Sequence, residues 1–380
     1  MRIIHIGPDS QFIQFLSGVF EEVAPGASTY LVTSASPRAE LQFPIRAGAV
    51  RILERGVRGA MMIPMLVRAS DLVIVHGMSP YGMVAFCLGS AKTARVWSGW
   101  GFDYYGEDLD PDAGLVSDAT RSLVGGGSRA DLFSSRVRIL KGRVVEYLQH
   151  CVAKKTDYFS APIPSDLSVF KRRFSGFSGE YAQLNYGSVA ETFAQGDLVG
   201  ADFNILVGNS ALPTNNHVDI FHMLAQHDLK ARKVIVPLGY GDPGYRKNLI
   251  IQGKQILGEA FMPLVEFLAF GNYRAIVASC NVVIMNHRRQ QALGNIGAAM
   301  YQGSHVYLNG TSPVYKFFKE KGAFVHSVEE LASSSLPEGG LHLHDVTNNR
   351  LVLERFWGSE QIRANVEALL ARVASACVPG

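Results

Sequence analysis

The chain has 380 residues, 47% hydrophobic and 18% charged, and a net charge of only +3. That excludes a disordered polymer and argues against a nucleic-acid binder, and the length suffices for two domains each with its own core. Its four cysteines (Cys87, Cys151, Cys280, Cys377) are scattered without CxxC spacing, which points to a reducing compartment and away from structural zinc.

Taken in chain order, the first half opens with an apolar strand pattern at Ile3 to Ile6 and repeats it at Tyr30 to Thr33, Leu72 to His76 and Ala94 to Trp97, with helical stretches such as Gln11 to Val23 between. Two basic clusters lie in this half. Five arginines from Arg46 to Arg68 face one acid, Glu54, around "AMMIPML", and six bases from Arg121 to Arg143 face Asp131. They are either solvated helix faces or a surface for anionic lipid headgroups. The Gly/Asp/Ser-rich stretch from Gly106 to Phe133 reads as a long loop or insertion.

A second alternation begins after residue 203. Its strands are expected at Asn204 to Gly208, Lys233 to Leu238, Cys280 to Met285, His305 to Leu308 and Phe324 to His326. Its helices are expected at His217 to Gln226, Tyr245 to Leu257, Pro263 to Phe270, Ile296 to Gln302 and Val314 to Lys321. The pattern implies an α/β protein of two Rossmann-like parallel-sheet domains, 1–190 and 191–353, and a helical segment, 354–380, packing back on the first. No window approaches the roughly 20 apolar residues of a membrane span, and Asp9 interrupts the start too soon for a secretory signal. A cytoplasmic protein that does not cross the bilayer is expected.

In open parallel sheets ligands bind beyond the carboxyl ends of the strands, so polar residues at those exits are the candidates. "LVGNSALPTNNH" supplies Ser210, Asn215 and His217, and "VPLGYGDPGY" supplies Tyr240. In "NHRRQQALGN", Arg288 and Arg289 suit phosphate oxygens, Gln290 and Gln291 suit a sugar or base, and Asn295 suits the N-cap of a small-residue helix whose free N–H groups can meet an anion. Glu266 is either an acceptor for a donor hydroxyl or simply an acid in a helix first turn opened by Pro263. In the first half, "WSGWGFDYY" places Trp100, Asp103 and Tyr105 beyond a strand, and Asp9 and His76 follow two others. Asp103, Asp9 and His76 are candidates for a general base, and the aromatics for stacking on an acceptor sugar. GxGxxG after the first strand, GxxxxGK[ST] and GxSxG are all missing, so dinucleotide, P-loop and serine-hydrolase readings fail.

The run "WGFDYY" in the first half, followed after residue 203 by "ILVGNS", "TNNHVDIF", "VIVPLGYGDPGY", "FMPLVEFL" and "RQQALGN", in this order, resembles the TDP-Fuc4NAc:lipid II Fuc4NAc transferases of enterobacterial common antigen synthesis. The resemblance implies a GT-B glycosyltransferase that inverts the anomeric centre. It implies a dTDP-sugar on the C-terminal domain, a polyprenyl-diphosphate-linked saccharide on the N-terminal one, no tightly bound metal, no nucleic-acid partner, and a peripheral place on the cytoplasmic face of the inner membrane. The segment from Glu107 to Ser128 departs from the family and leaves both sugars open. Two other readings fit such an anion cradle: a GT-B-like pyruvyl transferase, and a non-catalytic nucleotide-sugar-binding subunit.

Overall fold

The computed structural model describes residues 1–34, 40–106, 114–124, 132–194, 203–266 and 270–376. Of the second basic cluster, the side chains of Arg129, Arg136, Arg138 and Lys141 lie outside the described residues. The chain divides into two compact units. Unit 1 comprises Met1–Leu109, Ser134–Ser188 and Trp357–Gly380, and unit 2 comprises Asp110–Phe133 and Val189–Phe356. The Gly/Asp-rich stretch, expected in the first domain, therefore groups largely with the second.

In chain order the elements of the first half are β1 (Ile3–Pro8), α1 (Gln11–Val23), β2 (Ser28–Ser34), β3 (Ala49–Glu54), α2 (Val57–Val67), β4 (Leu72–His76), α3 (Pro80–Leu88), β5 (Ala94–Ser98), α4 (Asp118–Arg121), α5 (Leu132–Ala153), β6 (Tyr158–Ser160), α6 (Asp166–Arg173) and β7 (Glu180–Tyr181). Seven of these strands form one parallel sheet in the order β3-β2-β1-β4-β5-β6-β7. Buried on both faces, β1 and β4 carry unbroken apolar runs around His5 and His76. The sequence pattern misses β3, an edge strand whose first three residues are exposed, and the short β6 and β7. Ser10 and Ser79 cap α1 and α3, their hydroxyls accepting from Ile13 N and Gly82 N, so both helices start immediately after the exits of β1 and β4.

The second half continues with β8 (Asn204–Val207), α7 (His217–Leu224), β9 (Val234–Pro237), α8 (Pro243–Leu257), β10 (Phe261–Leu264), α9 (Phe270–Ala278), β11 (Cys280–Met285), α10 (Leu293–Gln302), β12 (His305–Leu308), α11 (Pro313–Glu320), β13 (His326–Ser327), α12 (Val328–Ala332), α13 (Leu343–Trp357) and α14 (Ser359–Ala376). Its sheet is also parallel, in the order β10-β9-β8-β11-β12-β13. In both sheets the strand order reverses beside the first strand, between β1 and β4 and between β8 and β11. Those are the switch points where a crevice opens for a ligand.

Two expectations are corrected. Residues 261–264 pair with β9 as an edge strand, not as the start of a helix, and Pro263 is tolerated there because an edge leaves one side of the backbone unpaired. The expected single C-terminal helix is two, broken at Gly358. In unit 1, Ile362, Val366, Leu369 and Val373 of α14 join Ile3, Leu16 and Phe20 in one buried cluster.

Candidate functional site

At the switch point of unit 2, three strand exits are laced together by side chains. Ala211 bridges Gly241, with Ala211 N donating to Tyr240 O and Asp242 N to Ala211 O, which joins the exits of β8 and β9. Gly241 is required there: its φ is +119°, and a Cβ would lie 2.5 Å from the backbone of Ala211. From β11, Gln291 Oε1 accepts from Thr214 Oγ1 (2.9 Å) and Gln291 Nε2 donates to Asn209 Oδ1 (3.1 Å), while Asn209 Nδ2 donates to the Tyr240 hydroxyl (2.8 Å). Thr214, Gln291, Asn209 and Tyr240 thus form one chain across three exits. Tyr240 is half-exposed, and burial raises its pKa. Asn209 and Thr214, which join this chain, stand out in the sequence only as part of a crowded polar exit.

Beneath the chain lies a buried hub. Asn215 Nδ2 donates to Ser210 O (3.1 Å), Ser210 Oγ (3.2 Å) and Leu212 O (3.0 Å). Its Oδ1 therefore accepts, from Asn209 N (2.9 Å) and from His287 Nε2 (2.9 Å), which fixes the His287 tautomer with its proton on Nε2. Burial first, then the neighbouring Arg289 and His217, hold the His287 pKa well below the usual histidine range. His217 faces the Tyr245 hydroxyl at 3.0 Å, and burial pushes it down to about 3. Ser210, Asn215 and His217, expected as donor ligands, are thus fully buried supports of the loop.

The opening of α10 differs from expectation. The helix begins at Leu293, so Asn295 lies in its first turn and is not the N-cap; that position belongs to Ala292, in the left-handed region at φ +59°. An alanine at this position offers no capping oxygen of its own. The two arginines part company. Arg289 is buried, its Nη1 3.3 Å from the carbonyl of the equally buried Gln290, and its charge is felt at His287. Arg288 is exposed and donates to Gly114 O (2.8 Å). Glu266 is exposed beyond β10.

In unit 1 the candidate bases separate on geometry. Asp103 is buried and its carboxylate accepts from Met78 N (2.8 Å), Trp97 Nε1 (2.7 Å) and Trp100 N (2.8 Å); burial raises its pKa against these bonds. Both of its oxygens are turned to internal donors, which ties the turn to the exit of β4. His76 is sealed in the sheet, its Nε2 3.0 Å from His5 Nδ1, and burial pushes it down to about 3. Asp9 is partly exposed, its carboxylate bridging Gln42 N (2.6 Å) and Phe43 N (3.0 Å). Tyr105 commits its hydroxyl to Asp166 Oδ1 (2.8 Å), a structural use, whereas Trp100 packs edge-on against Phe12 and Tyr186 at the strand exits.

A sequence model of the family described as 4-alpha-L-fucosyltransferase glycosyl transferase group 56 matches residues 180–355. Solved structures share the fold at low identity. Sucrose-phosphate synthase from Thermosynechococcus elongatus is 10% identical, with TM-score 0.63, over 99% of this chain and 100% of that one. The E. coli trehalose-6-phosphate structure bound with UDP-2-fluoro glucose is 11% identical, with TM-score 0.61, over 98% and 99%. Anabaena HepE in complex with UDP is 12% identical, with TM-score 0.54, over 99% and 97%. Residues 180–355 are thus similar to the group 56 glycosyltransferase family, and the two parallel-sheet, Rossmann-like units share the fold of these solved structures.

Proposed function

We propose that the chain transfers a deoxyamino sugar of the Fuc4NAc type from a dTDP-linked donor to a polyprenyl-diphosphate-linked saccharide, inverting the anomeric carbon. The observation that carries this reading is the convergence, at the switch point of unit 2, of buried Arg289, the first turn of α10, whose N-cap is an alanine, and the Thr214–Gln291–Asn209–Tyr240 chain. A permanent charge in a low-dielectric setting, beside helix N–H groups, suits a leaving diphosphate. These donors take the charge that a tightly bound metal would otherwise carry. The half-exposed Tyr240 and exposed Glu266 are assigned to the nucleoside and sugar ends of the donor.

In the reaction the acceptor hydroxyl oxygen bonds to the anomeric carbon as the bond to the diphosphate breaks. The electron pair leaves on dTDP and the hydroxyl proton passes to a base. We assign the base to Asp9, because its carboxylate, though it bridges two backbone N–H groups, is partly exposed, whereas Asp103 and His76 are enclosed. A lipid-linked acceptor also calls for a membrane-facing surface. On α2 of unit 1, Val57 and Met61 are 76% and 74% exposed beside exposed Arg51, Arg55, Arg58 and Arg68, a combination suited to anionic headgroups on the cytoplasmic face of the inner membrane. Among the described residues no helix is long and apolar enough to cross a membrane.

The test is a panel of dTDP- and UDP-sugars followed by thermal unfolding, since a ligand at 100 times its Kd adds about 2.7 kcal/mol. The proposal expects dTDP-sugars to stabilise best and dTDP to be released on turnover. Release of inorganic phosphate from phosphoenolpyruvate would replace it with ketal-forming transfer, and donor binding without turnover on any lipid-linked acceptor would make the chain a binding subunit.

A further inference from the structure

The turn after β5 is expensively built for a surface loop. The Asp103 carboxylate sits among Met78 N, Trp97 Nε1 and Trp100 N, so one buried group ties the turn to the exit of β4 and to the core. Gly77 N donates to Ser98 O, which fixes the exits of β4 and β5 against each other, and Tyr105 N donates to Gly101 O within the turn. Burying a carboxylate costs unless every partner is supplied, and here three are.

What this construction presents is Phe102. Its neighbours Trp97 and Tyr104 are fully buried, but Phe102 is 51% exposed. Its ring stands over Gly77, where the backbone has φ +65° and a Cβ would lie 3.1 Å from Phe102 Cζ and 3.3 Å from the six-membered ring of Trp100. Only a glycine lets both rings close on that backbone. Trp100 is held from its other side by Phe12, at 5.2 Å between ring centroids and 80°, and by Tyr186, at 5.8 Å and 77°. An aromatic left half in solvent on a turn held this rigidly, at the switch point of its sheet, is a binding surface.

We propose that Phe102, backed by Trp100 and Gly77, is a stacking platform for a pyranose ring of the acceptor, and that Asp103 is the positioning residue that holds it. The inference rests on the sugar-transfer reading and adds its acceptor subsite. A pyranose offers an apolar C–H face to a ring of this kind while its hydroxyls remain free for polar partners. It also explains why an acidic residue in this motif is enclosed: its work is done on the turn.

The experiment is saturation-transfer NMR on the full chain with methyl N-acetyl-β-D-glucosaminide and methyl β-D-mannoside as probes, alongside thermal shifts with a dTDP-sugar. One probe should show saturation concentrated on the C–H protons of one ring face. Phe102→Ala should weaken its affinity about three- to tenfold, the worth of an aromatic contact, while Phe102→Tyr keeps it and both variants keep the dTDP-sugar shift. Gly77→Ala, which moves the rings without removing them, should also lose the probe. If Phe102→Ala leaves the saturation pattern and affinity unchanged, or neither probe binds the wild-type chain, the platform is refuted even where donor binding stands. Failure of every dTDP- and UDP-sugar to bind would instead remove the transferase reading.

Discussion

Replacing Asn215 by alanine should destabilise the second unit far more than a loop substitution would suggest. The amide spends both ends: Oδ1 takes Asn209 N and His287 Nε2, and Nδ2 serves Ser210 O, Ser210 Oγ and Leu212 O, at distances between 2.9 and 3.2 Å. Alanine leaves one buried donor, His287 Nε2, and one part-buried donor, Asn209 N, without an acceptor, each costing about 1–3 kcal/mol, while the carbonyls lose bonds worth about 1 kcal/mol each. Since these terms do not simply add, about 3–5 kcal/mol is the expected total, a large part of a typical 5–15 kcal/mol domain stability. For a unit of this size that lowers Tm by about 6–20 °C, read by scanning calorimetry. Asn215→Asp keeps the acceptor oxygens but sets a carboxylate against two carbonyls, so it should fall between alanine and wild type. A Tm within about 2 °C of wild type in the alanine variant, with lost dTDP-sugar affinity, would refute the reasoning and make Asn215 the direct donor ligand that the sequence suggests.

Arg289→Ala should lower turnover by at least about 10²-fold, the scale of a lost oxyanion donor, and near-normal rates would remove the diphosphate assignment. Asp9→Asn should cost about 10²–10⁴-fold in kcat with donor binding intact; if Asp103→Asn shows that pattern and Asp9→Asn does not, the base is Asp103. Stability should fall on mild acidification: His76 and His217 sit at about 3, and His5 and His287 well below the usual value, because burial disfavours their charged rings. A folded value below the unfolded one of about 6.5 means that the unfolded chain takes protons first as pH falls. The stability these rings contribute is therefore whole above about pH 7 and declines from about 6.5 toward 3, by up to about 1.4 kcal/mol per pH unit per histidine. A chemical-denaturation midpoint unchanged from pH 8 to 5 would contradict this. Chelation with EDTA should leave turnover unaltered, and a loss restored by a divalent cation would put a metal where Arg289 is assigned.

The strands at the centre of both sheets are legible because full burial writes itself as an apolar run, as at Leu72–His76 and Cys280–Met285. Edges are not: β3 is mostly exposed, with only Leu53 buried, and β10 carries a proline that locally reads as a helix start. Which exits matter follows from the same pattern, but which residue at an exit faces out does not. "TNNH" reads as four polar groups at an exit, and only the packed fold turns all four inward. Arg288 and Arg289 are adjacent in sequence, yet one reaches Gly114 and the other is buried near His287. Asp103 is the least legible, because an acid among aromatics has the sequence signature of a raised-pKa base and of a buried anchor alike. The hydrogen bonds that decide between them come from Met78, Trp97 and Trp100.

The Gly/Asp-rich excursion carries the longest-range consequence. Its described residues 114–124 are tied to the switch point of unit 2 by contacts spanning about a hundred residues. Ser117 N donates to Asn216 Oδ1 (2.8 Å), Asn216 Nδ2 donates to Leu115 O (3.0 Å) and Asn286 O (3.1 Å), Asn248 Nδ2 reaches Leu123 O (2.9 Å), and the Ser117 hydroxyl meets Asp219. Asn216 can serve as this junction because asparagine tolerates the left-handed backbone, here φ +50°, that turns its amide across both strand exits. Closing a loop of that length costs on the order of 4 kcal/mol in chain entropy. Several hydrogen bonds of about 1 kcal/mol each, with Ala119 and Leu123 packed on the core of unit 2, are of the size needed to offset it. The excursion is therefore part of the unit proposed to hold the donor, anchored beside Asn286 and Arg288. Under the proposed function, this stretch bears on the choice of donor sugar at least as directly as on the acceptor.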